Sequence, residues 1–343
     1  MEPAENNILS LQDVAIGYWD RQHKTVFERI NLSASEGELI ALVGKNGVGK
    51  STLLRTIARL QPELQGKILF RDRELSSYSR PLFARLLSFV STEIVNIPNL
   101  SVFDFVALGR SPYTNWFGRL EKRDKQATLR AISQVGMGHM VHNNLTEISD
   151  GERQRIMVAR TLAQDTPFII LDEPTAFLDL PNRYEIIHLL HELAREQNKT
   201  ILFSTHDLSI ALQEADKIWL LNKDQLHEGA PEDLILNNSF EQVFRSKLLT
   251  FDRRRGDFFM PKTLSSSVTL KNPNSLDDYW LRKALSRVGV AIDTDNSRVT
   301  SGLTIELLQH EPIQCKLKLP NEQEIEIRSF YQLNRLIRQF IDS

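Results

Sequence analysis

Among 343 residues there is one cysteine, Cys315. It can neither close an internal disulfide nor build a cysteine-rich zinc site, so a reducing compartment is its natural home. Excess positive charge is missing too, since 42 Lys and Arg against 44 Asp and Glu leave a formal charge of −2. A near-neutral chain has no basic field to grip nucleic acid, which removes DNA and RNA as main ligands. No apolar run reaches the roughly 18 residues that a bilayer span requires. The opening Met1, Glu2, Pro3, Ala4, Glu5 lacks the positive start and apolar stretch of a secretory leader. Neither secretion nor membrane crossing is expected. Internal repeats and low-complexity tracts are absent as well. What remains is a folded, globular composition, 41% hydrophobic and 25% charged. At this length one core usually divides, so two or three units are expected.

Residues 8–43 read as short strands, with Leu9, Leu11 and Val14, then residues 26–32, then the unbroken run Leu39, Ile40, Ala41, Leu42, Val43. Such a run suits a strand buried on both faces. Glycine interrupts it, and residues 51–60 place Leu53, Leu54, Ile57 and Leu60 at helical spacing. Further buried runs at 168–171, 200–204 and 217–221 alternate with helical segments such as 181–196, the signature of a mainly parallel sheet. Residues 82–140 are helical in period with no buried-strand run, which predicts a helical insertion. After Phe251 the texture changes to Arg253, Arg254, Arg255, Gly256, read as a solvated turn, and then to Ser265, Ser266, Ser267. Beyond it Leu281, Leu285 and Val288 share a helical face, residues 313–319 alternate, and Ser329 can cap a helix carrying Phe330, Leu333, Ile337 and Phe340. A small α+β appendage follows, and Cys315 falls in its alternating strand, where burial is the default.

Gly44, Lys45, Asn46, Gly47, Val48, Gly49, Lys50, Ser51 fits G-x-x-x-x-G-K-[ST] between a predicted strand and a predicted helix. Glycines let successive N–H groups converge on phosphate oxygens, and the helix start adds its positive end. Lys50 then neutralises the β and γ phosphates, and the Ser51 hydroxyl can ligate Mg²⁺, a hard ion that prefers oxygen. Phe168, Ile169, Ile170, Leu171 end in Asp172 and Glu173, and strand alternation sends neighbouring side chains different ways. Asp172 can reach the Mg²⁺ shell, and Glu173 can polarise a water for in-line attack on the γ phosphate.

With Ile148, Ser149, Asp150, Gly151, Glu152, Arg153, Gln154 added, residues 8–250 resemble the nucleotide-binding subunit of ABC transporters. The resemblance implies a P-loop α/β domain over residues 1–252: a mainly parallel core, an antiparallel β subdomain and a helical subdomain at about 82–163. Residues 253–343 lie outside it. It implies that Ser149 and Gly151 touch the γ phosphate held by a second copy, and that Asp179, in Ala176, Phe177, Leu178, Asp179, lines the interface. It further implies that His206, in Ser204, Thr205, His206, Asp207, holds the γ phosphate, that Tyr18 stacks on adenine, and that Asn46 and Thr52 complete the nucleotide contacts. One departure stands out. The family usually places a metal-contacting glutamine after a strand at the entry to the helical insertion; here Leu87, Ser88, Phe89, Val90, Ser91, Thr92, Glu93 puts Thr92 there, with Glu93 as the alternative.

One chain then carries two half-sites, so the resemblance implies an ATP-sandwich homodimer that opens on hydrolysis. It also implies integral-membrane permease partners, an indirect substrate-binding protein, and a place at the cytoplasmic face of the inner membrane. Val106, Ala107, Leu108, Gly109, Arg110, Ser111, Pro112, Tyr113 and Phe177, Leu178, Asp179, Leu180, Pro181, Asn182, Arg183 look like the branch that imports iron chelates (siderophores), haem and cobalamin. The competing readings are a soluble ABC-type ATPase of translation or DNA repair and a system for another solute. The appendage is either a sensing module that restrains the ATPase or a packing extension.

Overall fold

The computed structural model describes residues 7–18, 24–91, 97–115, 117–176, 178–223, 225–271, 275–293, 302–309 and 314–341. The chain forms two compact units, Met1–Phe258 and Phe259–Ser343.

In the first unit the unbroken apolar runs become the centre of a six-stranded sheet. Its order is Leu226–Gly229, Lys217–Leu221, Leu39–Gly44, Thr200–Thr205, Phe168–Leu171, Leu87–Val90. All neighbours are parallel except the first pair, which is an antiparallel edge. Every residue of Leu39–Gly44, Thr200–Thr205 and Phe168–Leu171 is buried, as strands covered on both faces require. Alternation divides them between two cores. Leu39, Ala41 and Val43 join Ile156, Val158, Leu190 and Ile210 on the helical face. Ile40 and Leu42 join Leu53, Leu54, Leu9 and Ile30 on the other. That second face is covered by the helix Lys50–Ile57 and by an antiparallel sheet ordered Lys24–Ser35, Asn7–Tyr18, Gln65–Phe70, Arg73–Glu74.

The expectation of an insertion without a strand over residues 82–140 is corrected here. Leu87–Val90 is a strand of the main sheet, paired in parallel with Phe168–Leu171. Four residues that include Ser88 are too short and too polar to register as a buried run, and only the neighbour supplies the pairing. Helices proper occupy Val102–Ala107, Lys122–Gln134 and Asp150–Gln164. They are stitched by Arg110, whose Nε meets Asp124 Oδ1 at 3.1 Å and whose Nη1 donates to the Ala163 carbonyl at 2.8 Å. The guanidinium also lies 3.9 Å from the centre of the Tyr113 ring. Beside it Gly109 is required for close approach, because a Cβ there would fall 2.2 Å from the Arg160 carbonyl oxygen.

The first unit runs past the expected boundary at 252. Thr250–Asp252 and Asp257–Phe259 form a hairpin, so that boundary falls in its turn. Phe251 stacks on Phe240 at 5.5 Å and meets Phe258 at 4.8 Å, which ties the hairpin to the helical-face core. Arg253, Arg254 and Arg255 sit exposed in that turn, with Arg253 paired to Glu241.

The second unit has its own five-stranded sheet, ordered Val290–Asp293, Ser266–Lys271, Thr304–Gln309, Gln314–Lys318, Glu324–Ile327. The first three run parallel and the last two antiparallel. Helices Ser275–Ser286 and Phe330–Ile341 complete it, and Leu281, Leu285, Leu333 and Ile337 pack on Val268, Ile305 and Leu317. Cys315 is buried in this core, and burial pushes its thiol up to about 11, so it carries little thiolate at neutral pH.

Because Asp124 is fully buried, removing its cation leaves an uncompensated charge. Arg110→Ala should lower unfolding free energy by about 3–5 kcal/mol, measured by urea denaturation. Replacing both partners with apolar residues should cost less, and equal losses would show that the pair acts only through volume.

Candidate functional site

The strand Leu39–Gly44 ends where the glycine turn begins, and Val48 N–H donates back to the Lys45 carbonyl at 3.3 Å. Gly49 has φ +113°, and a Cβ there would lie 2.6 Å from Val26 Cγ1. Gly47 is also left-handed, at φ +76°, but faces open space. The helix Lys50–Ile57 starts next, so its free N–H groups crown the turn. Lys50 is buried, and its Nζ donates to the carbonyls of Gly44 at 2.9 Å and Lys45 at 3.3 Å. Burial lowers its pKa, and the carboxylates of Glu173 and then Asp172 oppose that shift. An ammonium held this way is under-compensated, and a phosphate beside it would restore the balance.

The turn floors a cleft of about 970 Å³. Asn46, Gly47, Val48, Gly49, Lys50, Ser51 and Thr52 form one wall, Tyr18 and Val26 another, and Glu173 reaches in. Tyr18 is half exposed, with its hydroxyl sharing a 3.2 Å hydrogen bond with the Thr52 hydroxyl. Sequence reasoning missed Lys24 and Lys223, which also line this cleft. They belong to no motif; a strand of the antiparallel sheet and the turn after Lys217–Leu221 bring them there.

Strand pairing stops at Leu171, and Glu173 takes φ +51°. The two acids then meet different surroundings, Asp172 buried against Ser204 and Glu173 lining the cleft, while the charge of each acts on Lys50. Asp172 is buried; its N–H donates to the Val90 carbonyl at 2.9 Å, and its Oδ1 accepts from Ser204 Oγ at 2.7 Å. Glu173 N–H donates to the same Ser204 Oγ at 2.8 Å. His206 Nδ1 lies 3.9 Å from Glu173 Oε2. Ser204 is a further residue that sequence reasoning passed over as a site member.

Ser149, Gly151 and Asp179 stand apart, and none lines the cleft. Ser149 caps the helix Asp150–Gln164 in a capping box: its Oγ accepts from Glu152 N–H at 3.3 Å, while its own N–H and hydroxyl donate to Glu152 Oε2 at 2.8 Å. Those bonds hold the Glu152 carboxyl below the usual range. Asp150 pairs with Arg153 at 2.8 Å. Asp179 caps the helix Leu180–Gln197, accepting from Asn182 Nδ2 at 2.6 Å. Asn182 in turn abuts Gly151, where a Cβ would come within 3.3 Å of its Nδ2. Arg183 donates to the Leu178 carbonyl at 2.8 Å and lies 3.7 Å from Asp207. Thr92 and Glu93 lie outside the described residues, as does Phe177.

Residues 27–176 match the family described as ABC transporter. The chain is 37% identical over 252 residues to an uncharacterized ABC transporter ATP-binding protein of Methanocaldococcus jannaschii, covering 73% of this chain and 86% of that protein. It is 33% identical over 240 residues to the iron(3+)-hydroxamate import ATP-binding protein FhuC of Bacillus subtilis, covering 70% of this chain and 88% of the relative. Among solved structures, a transporter assigned to the metal-chelate ABC type in an inward-facing conformation matches with a TM-score of 0.62 at 30% identity, covering 74% of this chain and 96% of that one.

The two left-handed glycines should respond unequally. Gly49→Ala drives a Cβ into Val26 and should abolish detectable nucleotide binding. Gly47→Ala meets only backbone strain, on the order of 1 kcal/mol, and should weaken binding by roughly tenfold or less. Titration with a fluorescent ATP analogue distinguishes them, and equal losses would contradict the contact geometry.

Proposed function

We propose, for a chain that belongs to the ABC transporter family as its ATP-binding, ATP-hydrolysing subunit, that it powers import of an iron(3+) chelate through separate permease subunits. The observation that supports the chemistry is the under-compensated Lys50, buried in a glycine turn and flanked by Asp172 and Glu173. The cargo class rests on the hydroxamate-import relative and on the metal-chelate type of the matching transporter. No helix among the described residues is long and apolar enough to cross a membrane. The channel is therefore assigned to partner chains, supplied by a substrate-binding protein, with this subunit at the cytoplasmic face of the inner membrane.

In this reading Tyr18 stacks on adenine, while the N–H groups of residues 46–52 and the Lys50 ammonium hold the phosphates. Ser51 and the buried Asp172 offer only oxygen donors, which fits Mg²⁺, and the ion when bound would neutralise phosphate charge. Two protein ligands suffice for an ion that keeps water and phosphate oxygens. Glu173 accepts a proton from the attacking water as its oxygen bonds to the γ phosphorus, and the bond from that phosphorus to the bridging oxygen breaks. His206, beside Glu173, orients that carboxylate and contacts the γ phosphate.

Ser149 and Gly151 lie outside this cleft, so a second copy closes it: Ser149 and Gly151 of the partner subunit present their capped helix end to the γ phosphate, with Asp179 at the seam. ATP binding then closes the dimer, and hydrolysis removes the group both halves hold.

Glu173→Gln should retain ATP binding, lower hydrolysis by roughly 10²–10⁴-fold, and elute as a dimer in ATP and Mg²⁺. Hydrolysis at the parent rate would remove Glu173 from the water-activating role. Co-purification with a polytopic membrane protein, together with ATP-dependent uptake of an iron(3+) hydroxamate by the reconstituted complex, tests the cargo.

A further inference from the structure

Ser204 is fully buried in the strand Thr200–Thr205, next to the point where the two acids leave the sheet. We infer that Ser204 is a positioning residue for hydrolysis, its hydroxyl locking the metal-facing Asp172 and the water-facing Glu173 into one fixed arrangement. The inference rests on the roles given above to those two acids.

The direction of each bond follows from the chemistry of the groups. Glu173 N–H can only donate, so the hydroxyl must accept from it, at 2.8 Å. An ionised Asp172 can only accept, so the hydroxyl must donate to its Oδ1, at 2.7 Å. A single oxygen thus uses its proton on one acid and a lone pair on the backbone of the next. Full burial keeps bulk water from competing for either bond.

The backbone shows why the second bond matters. Regular pairing between the two strands ends at Leu171 and Phe203. Past it, Glu173 adopts φ +51°, a conformation a non-glycine residue holds only when its surroundings impose it. Its N–H finds a side-chain hydroxyl where the ladder would offer a carbonyl. Ser204 therefore anchors the turn from which Glu173 reaches into the cleft, next to the buried Asp172, and the charge of each acts on Lys50. The same hydroxyl commits one Asp172 oxygen, which sets the orientation of the other. An alanine at 204 fills the space and makes neither bond, whereas a threonine keeps the hydroxyl.

Ser204→Ala should lower kcat for ATP hydrolysis by roughly ten- to a hundredfold, the scale of a small misplacement of reacting groups. KM for ATP should stay within about threefold, because the phosphate turn is untouched. Ser204→Thr should recover most of the rate. A second readout is independent of turnover: in a Glu173→Gln background, adding Ser204→Ala should raise the Mg²⁺ concentration needed for ATP-driven dimerisation by about tenfold, the usual effect of losing a partner behind a metal ligand. Where the threonine methyl prevents folding, seen as a collapsed Tm, this Mg²⁺ titration decides. Hydrolysis by Ser204→Ala within twofold of the parent, with an unshifted Mg²⁺ requirement, overturns the inference. A loss that tracks falling Tm and rising KM, without threonine rescue, does so as well. If Glu173→Gln itself still hydrolyses ATP, the underlying assignment of the acids fails; if it is inactive while Ser204→Ala is active, only the role of Ser204 fails.

Discussion

A buried ammonium that its own fold does not fully compensate is the constraint around which the first unit is arranged. Lys50 loses water on folding, and two loop carbonyls and two nearby carboxylates return only part of that loss. Leaving a cation in that state is tolerable because the surrounding frame is firm: strands buried on both faces form the centre of the sheet, and one of them, Leu39–Gly44, runs straight into the turn that carries it. Phosphate relieves the deficit, and the free N–H groups at the start of the helix Lys50–Ile57 add to the attraction.

The same frame fits the proposed pairing of two copies. Ser149 satisfies the N-terminus of its helix through a capping box, and Gly151 leaves the next position bare beside Asn182. Neither lines this subunit's own cleft. Asn182 connects Gly151 to Asp179, and Arg183 connects Leu178 to Asp207 beyond His206. In the proposed dimer, the surface offered to a partner and the surface facing the chain's own nucleotide are thus linked through one helix start, Leu180–Gln197.

Much of this was legible in the residues because the relevant signals are local. The glycine-lysine turn, the apolar runs of the central strands and the Ser149 cap each depend on a few consecutive positions, where backbone conformation and periodicity are written directly. Leu87–Val90 escaped notice because four mixed residues become a strand only when Phe168–Leu171 lies alongside. Lys24 and Lys223 escaped because their place in the cleft comes from separate strands folding against each other. The boundary at 252 was drawn on a change of texture, whereas Phe251 and Phe258 hold the hairpin to the first core by ring packing that composition does not display.

The amino-acid sequence by itself determined the parallel sheet, the phosphate turn, the order of the acids and the presence of a distinct C-terminal unit, since each is carried by short-range pattern. Tertiary structure alone decided how Glu173 is held. Strand pairing ends at Leu171, and past it Glu173 takes φ +51° while its N–H donates to a hydroxyl 31 residues away. A contact between residues so distant in the chain exists only once two strands are paired, and no local pattern encodes it.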